Sequence, residues 1–359
     1  MNLSPRSSTT IHTLTRRQLV QYGSVLISSS MIAACTNSNQ ANSNQSKPKD
    51  SGLDKVTFGT NWVAEAEHGG FYQAIATGIY KNYGLDVTIK MGGPQVPSGT
   101  QLLMGGAVDF FMGTGIDAIN AIAQQIPKMT VAAIFQKDPQ CIIVHPNRKV
   151  KTLADLKGKP IYLSAAANVT FWPFLKAKYG FTDEQKRPYN FNPGPFLVDK
   201  NSAQQGYVTS EPFAIEKQGG FKPVVFLLAD YGYTNYATTI ETKKELVQKN
   251  PDLVQRFVDA SIKGWYSYLD NPTPGNELIK KDNPEMTDEQ LTYGITKLKE
   301  YGVIISGEAQ KQGIGAMTEE NWKSFFDKMV SVGIYQPNVN YKDAFTLQFI
   351  NKGVAFYKL

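Results

Sequence analysis

The chain has 359 residues, 42% of them hydrophobic and 19% charged. That balance excludes general disorder and leaves room for two lobes, since one hydrophobic core stops growing near ~250–300 residues. The mean hydropathy of −0.30 excludes a polytopic membrane protein. Of the formal net charge of +6, residues 1–50 hold Arg6, Arg16, Arg17, Lys47 and Lys49 against Asp50, a balance of +4, so the rest of the chain holds only +2 and no nucleic-acid partner is expected.

The first 35 residues read as an export signal. Arg16 and Arg17 precede a modest apolar stretch running to Ala34 and diluted by serines, a pattern compatible with the twin-arginine and the general secretory routes. Ile32-Ala33-Ala34-Cys35 matches a bacterial lipobox, in which small residues fit the signal peptidase and the cysteine thiol receives diacylglycerol. Residues 36–52 are polar, cannot bury a core and read as a flexible tether, with a coil span of roughly 20–25 Å. The expected location is therefore outside the cytoplasm, lipid-anchored to the outer face of the plasma membrane on the periplasmic side. Cys141, in an apolar run, reads as a buried inert thiol.

From residue 55 strands and helices alternate. Strands are expected at 56–59, 85–90, 108–112 and 129–136, and helices at 70–80, where Phe71, Ile75 and Ile79 share a face, at 100–104 and at 116–125. A second unit opens with a strand at 141–145, a short helix at 152–159, a strand at 160–164 and a helix at 171–179, with a later strand at 224–228. This punctuation implies mostly parallel sheets covered by helices. Beyond Tyr231 the chain reads as helical. Asn250-Pro251 starts a helix with Leu253, Phe257, Ser261 and Trp265 on one side, Thr287 with Gln290 fits a capping box, and Thr318 precedes a helix carrying Trp322, Phe325 and Met329.

Asn61-Trp62, Glu65, Glu67, His68-Gly69-Gly70 and the run from Gly78 to Val87 together resemble the first strand and helix of the solute-binding proteins of ABC importers that take sulfonates, nitrate, taurine and thiamine pyrimidine precursors. Leu102-Leu103-Met104-Gly105-Gly106-Ala107-Val108-Asp109, Leu153-Ala154-Asp155-Leu156-Lys157-Gly158 and Gly206-Tyr207-Val208-Thr209-Ser210-Glu211-Pro212 extend the resemblance over about 55–231. It implies an α/β, two-lobed periplasmic-binding-protein fold of type II, each lobe a mostly parallel sheet flanked by helices. Lobe 1 would span 53–137 and 232–359, the latter with the C-terminal helices, and lobe 2 would span 138–231. Asp138-Pro139 and Tyr231-Gly232-Tyr233 would be the hinges, because closure around a ligand is a recognised behaviour of periplasmic binding proteins, which are the standard instance of hinge closure. The implied partners are a small-molecule solute and the permease and ATPase subunits of an importer, with the protein itself a monomer.

Ligands in open α/β sheets bind beyond the carboxyl ends of strands. On that rule Asn61 and Trp62 are candidates, Trp62 for stacking on a flat heterocycle. Glu65 and Glu67 could accept from an aminopyrimidine edge, and His68 could donate or accept at a helix start whose glycines allow close approach. Gly113 and Thr114 follow a strand on the same edge. Ser164, Asn168, Tyr207, Glu211 and Tyr231 are the second-lobe candidates, Glu211 being expected in an extended conformation before Pro212. The glutamates tilt the expected solute toward a neutral or cationic nitrogen heterocycle such as a pyrimidine precursor of thiamine, with a sulfonate, nitrate or taurine ligand as the alternative.

The fungal thiamine pyrimidine synthase shares this domain and is the alternative from a different class. The resemblance places its cofactor-bearing lysine at or beside Gly113 and its sacrificial histidine at or beside Asp117, and residues 231–239 contain no counterpart of its cysteine run. No catalysis and no cofactor, pyridoxal phosphate and iron included, are therefore expected. Replacing Cys35→Ser is expected to release the protein in soluble form from spheroplasts; fractionation that still finds the variant in the membrane would remove the anchor.

Overall fold

The computed structural model describes residues 52–146 and 149–358. The leader, the lipobox with Cys35 and all but the last residue of the tether lie outside the described residues. Strands β1 (Asp54–Gly59), β2 (Leu85–Lys90), β3 (Phe110–Gly113), β4 (Lys128–Phe135) and β10 (Ala237–Lys243) form one sheet in the order β2-β1-β3-β10-β4. Strands β5 (Gln140–Val144), β6 (Ile161–Leu163), β7 (Lys186–Pro188), β8 (Ala203–Tyr207) and β9 (Val224–Leu227) form another in the order β7-β6-β8-β5-β9.

In each sheet four strands share a direction and one opposes them. β10 is antiparallel to β3 and β4, and β5 is antiparallel to β8 and β9. The reversed strands are the two that arrive from the other sheet: β5 follows β4, and β10 follows β9. A chain that crosses enters its new sheet from the side facing the old one, where the other strands end, so it must run against them. The carboxyl ends of eight strands and the starts of β5 and β10 consequently border one gap between the sheets.

The first sheet buries its apolar face under the helices Gly69–Ala76 and Pro251–Asp270. Phe58 of β1 meets Phe71 at 4.4 Å and Phe257 at 5.5 Å between ring centroids, and Phe110 of β3 stacks on Phe257 at 4.1 Å. Each such buried ring contributes about 2–3 kcal/mol. The two helices touch backbone to backbone: a Cβ on Gly264 would stand 2.3 Å from the Gly70 carbonyl oxygen. Cβ atoms on Gly69 and Gly70 would run into the rings of Tyr268 and Trp265. These two glycines therefore serve helix packing, not the approach of a ligand.

Several expectations need correction. The helix at 70–80 is two pieces, Gly69–Ala76 and Ile79–Asn82, because Gly78 takes φ 73° between them. The segment after Thr152 is a single 3-10 turn, Leu153–Leu156. The chain after Tyr231 is not all helical: β10 lies inside the first sheet between β3 and β4, its Thr-Thr-Ile-Glu-Thr run buried. Glu211 is not extended but opens the helix Glu211–Gly219, where a proline in the first turn costs no hydrogen bond. The helix starts at Asn250, Thr287 and Thr318 are as expected, each side chain accepting from the amide three residues on. Cys141 is buried in β5, its thiol directed at the Gly206 carbonyl at 3.1 Å.

The two crossing segments are tied to each other. Asn235 Nδ2 donates to Asp138 Oδ2 at 3.0 Å, while Asn235 Oδ1 accepts from the Ile116 amide at 2.9 Å. Both side chains are buried. Asn235→Ala would leave two buried groups unpaired and is expected to cost about 1–3 kcal/mol in urea unfolding; an unchanged midpoint would mean that the tie contributes nothing.

Candidate functional site: an acidic, aromatic cleft

The gap between the sheets holds a cavity of about 360 Å³. Its walls come from strand ends. Asn61 and Trp62 follow β1, Thr114 follows β3, Ser164 follows β6, and Tyr207 with Ser210 and Glu211 ends β8. Asp138 with Gln140, and Tyr233 with Asn235, supply the floor where the chain crosses. Glu65, Glu67 and His68 enter from the turn before the helix Gly69–Ala76.

Of the residues singled out from the sequence, Asn61, Trp62, Glu65, Glu67, His68, Thr114, Ser164, Tyr207 and Glu211 line this cavity. Gly113, Asn168 and Tyr231 do not. Gly113 borders a separate chamber. Asn168 is spent on Lys186 and on the Ala165 carbonyl at the exposed surface. Tyr231 packs edge-on against Phe226 at 5.9 Å, because Gly232, at φ 92°, turns the chain and brings Tyr233 inward instead. Phe191, Gln205 and Asp138 also line the cavity, though none was singled out as a ligand residue. Phe191 follows β7 and Gln205 lies in β8, two strands that alternation did not reveal.

The chemistry of the lining is one-sided. Among the described residues, five carboxylates, Glu65, Glu67, Asp117, Asp138 and Glu211, line the cavity and no lysine or arginine does. Burial pushes Glu65 well above the usual carboxylate range, with the charges of Glu67 and Glu211 adding to the effect. Burial lifts Glu67 to about 7 against a hydrogen bond from Thr209. Asp138 rises to about 6 from burial, opposed by the hydrogen bonds from Asn235 and the Gln140 amide. Glu211 is raised by burial and held down by the Tyr207 amide, which donates to Oε2 at 2.7 Å.

Burial drops His68 to about 4, so the ring is neutral. Its Nδ1 accepts from the Glu65 amide at 3.2 Å, which leaves the proton on Nε2, directed at Asn61 Oδ1 3.4 Å away. That arrangement turns the Asn61 amide NH₂ away from His68 and makes the histidine an orienting group.

Contacts from the second sheet complete the cleft. The Thr209 hydroxyl donates to Glu67, and Ser210 Oγ donates to Glu65 Oε2 at 3.4 Å. Trp62 meets Phe191 at 4.4 Å between centroids, tilted by 47°. Phe191 adopts φ 60°, a left-handed conformation that a bulky residue rarely takes, and is 43% exposed. The arrangement offers an aromatic jaw from each side and acceptor oxygens between them. It suits a flat group with N–H donors and disfavours an anion.

Fold and cavity are those of a solute-binding protein of the ABC-import type. The chain belongs to the NMT1/THI5-like family, which it matches over residues 65–274. Among curated proteins it is similar to the riboflavin-binding protein RibY of Chloroflexus aurantiacus, at 25% identity over 84% of this chain and 87% of that one. It is similar to the formylaminopyrimidine-binding protein of Halalkalibacterium halodurans, at 23% identity over 76% and 79%. The 4-amino-5-hydroxymethyl-2-methylpyrimidine phosphate synthase THI5 of Saccharomyces cerevisiae is 26% identical over 64% and 74%. In three dimensions the chain resembles the periplasmic aliphatic sulphonate-binding protein SsuA of Escherichia coli, with a TM-score of 0.58, 15% identity and coverage of 81% and 91%.

The buried acids set a pH dependence. A carboxyl whose folded pKa is raised adds stability below its unfolded pKa and loses it as pH climbs through the folded value. For Glu67 that window runs from the ordinary glutamate value of 4.5 to about 7 and is worth on the order of a few kcal/mol. His68 acts oppositely, losing stability as pH falls from 6.5 toward about 4. Well above pH 6.5 His68 is neutral in both states, so of these two groups only Glu67 still contributes. Calorimetric melting temperature without solute should therefore fall from pH 6.5 to 8, and Glu67→Gln should flatten that fall. An equally steep decline in the variant would remove Glu67 as its source.

Proposed function

We propose that this chain captures a flat, neutral or cationic nitrogen heterocycle outside the cytoplasm and delivers it to an ABC permease, with an aminopyrimidine of the thiamine-precursor kind as the first solute to test. The observation that carries the reading is the lining of the cleft, which among the described residues holds five carboxylates, no basic side chain, and the Trp62–Phe191 aromatic pair. A sulfonate or nitrate would meet these carboxylates without a counter-charge, so the likeness to the sulphonate binder extends to the fold and not to the ligand. Two relatives named for nitrogen-heterocycle binding, one for riboflavin and one for formylaminopyrimidine, agree with this. Segments 136–139 and 228–236, joined by Asp138 and Asn235, are the proposed hinges between a lobe built on the first sheet and one built on the second.

The reading as a binder and not a synthase rests on position 113. A Cβ there would stand 2.4 Å from the Glu241 carboxylate, so a lysine has no room. The nearby Lys128 is held by Glu241 at 2.5 Å, both side chains buried. Asp117, at or beside the position that the resemblance gives the synthase histidine, accepts from the Thr114 hydroxyl at 2.7 Å. These residues do not fit pyridoxal phosphate.

Trp62 and Glu211 are the proposed grips, one from each lobe. A hydrogen bond to a buried charged group is worth ~1.5–3 kcal/mol, so Glu211→Gln should weaken binding by roughly one to two decades. Trp62→Ala should cost at least as much, through lost stacking and buried area. Isothermal calorimetry with 4-amino-5-hydroxymethyl-2-methylpyrimidine, riboflavin and an alkanesulfonate tests the reading. Heat from a heterocycle and none from the sulfonate is expected. Preference for the sulfonate, or unchanged affinity in both variants, would overturn it.

A further inference from the structure

A second chamber of about 240 Å³ adjoins the cleft, separated from it by Asn61, Met112 and Asp117, which border both. Its far wall is the glycine- and hydroxyl-rich segment 92–100. Gly92 lies so close to the chain leaving β1 that a Cβ would stand 2.4 Å from the Thr60 carbonyl oxygen, and the Gly92 amide donates to Thr60 Oγ1 at 3.2 Å. Its floor is the Lys128–Glu241 ion pair, 2% and 1% exposed. Lys128 engages only one oxygen of Glu241. The other, Oε1, is buried without a hydrogen-bond partner among the described residues, and it lies over Gly113, where any side chain would cover it.

A buried carboxylate oxygen without a donor is costly, and a side chain at 113 would crowd it. The chamber is lined besides by the Ser98 and Thr100 side chains. Val96, Pro97, Phe111 and Met112 complete the lining, so acceptor oxygen, ammonium and small hydroxyls stand beside apolar surface, a mixture that the alternating hydroxyls and C–H groups of a polyol match. The main cavity, at about 360 Å³, sits at the small end of the ~300–1,000 Å³ typical of ligand pockets.

We propose that this chamber receives a hydroxylated chain carried by the heterocycle, so that the solute is a ring with a polyol arm, its ring between Trp62 and Phe191 and its arm reaching past Asn61 to Glu241 Oε1. This rests on the heterocycle reading above and narrows it. A free pyrimidine would fill the cleft alone and leave Glu241 Oε1 without a donor.

The test compares riboflavin, which has a ribityl arm, with lumichrome, the armless ring system, by fluorescence titration of the full-length protein. Riboflavin is expected to bind about ten- to hundred-fold more tightly, the range set by one or more hydrogen bonds to a buried charged group. Thr100→Trp, which fills the chamber from its rim, should reduce riboflavin to the affinity of lumichrome and leave lumichrome unchanged. Glu241→Gln should act in the same direction, and the Thr100 variant keeps the test decisive if loss of the ion pair impairs folding. Equal affinities for the two compounds, or a preference for riboflavin that survives Thr100→Trp, would overturn the polyol arm while leaving the ring reading intact. Binding of neither compound would also overturn it, and the aminopyrimidine titration then decides separately whether the ring reading stands.

Discussion

The constraint on which the rest of this structure depends is the direction of two strands. Because β5 and β10 cross from one sheet to the other, each must run against its neighbours, and every other strand then ends at the gap between the sheets. The cavity is where ten chain segments turn, not a groove carved into a finished surface. The Asp138–Asn235 hydrogen bond joins the two crossings at the floor of that gap. A rotation of one sheet against the other would have to pivot there, since the chain passes between the sheets only through these segments.

Packing carboxylates into that gap is costly, and the structure shows how the cost is partly offset. Isolated charges in a low-dielectric site shift toward neutrality, as the raised Glu65, Glu67 and Glu211 do. Donors from the opposite side then satisfy part of their accepting capacity: the Thr209 hydroxyl on Glu67, the Ser210 hydroxyl on Glu65, and the Tyr207 amide on Glu211. The first two join the sheets across the cleft. A solute that brings its own N–H donors would compete for the same oxygens. The oxygens such a solute would meet are thus the same ones that join the two sheets across the cleft.

Much of the cleft was legible in the sequence for a simple reason. Asn61-Trp62, Thr114 and Ser164 each follow a strand, and the rule that sites lie beyond strand ends picks them out without knowledge of pairing. Tyr207 ends and Glu211 follows a strand that was not expected, and both were reached through the family resemblance instead; otherwise a hidden strand hid its site residues too. β7, Lys186–Pro188, is three polar or proline residues on a sheet edge, so Phe191 had no signal. β8 reads Ala-Gln-Gln-Gly-Tyr, with buried glutamines in place of apolar residues, and Gln205 is buried because its side chain accepts from the Ser164 amide at 2.6 Å. The glycines at 69 and 70 were legible as glycines but not as packing glycines, because the rings that cover them, Tyr268 and Trp265, lie almost two hundred residues away.

The sequence by itself determined the order of the strands and main helices between residues 54 and 179, the helix starts at Asn250, Thr287 and Thr318, and the presence of acidic and aromatic residues at strand ends, because all of these depend on neighbours within a few positions. Tertiary structure decided what depends on distant partners. It placed β10 inside the first sheet, although its Thr- and Glu-rich run carries no apolar alternation, since Glu241 gains Lys128 and Thr242 gains the Asp109 carbonyl only after the crossing. It turned Tyr233 and not Tyr231 into the cleft through one left-handed glycine. It also set Glu241 against Gly113, leaving a buried carboxylate oxygen without a hydrogen-bond partner among the described residues. No local pattern could report this, because its two halves are 128 residues apart and meet only as strands paired in opposite directions.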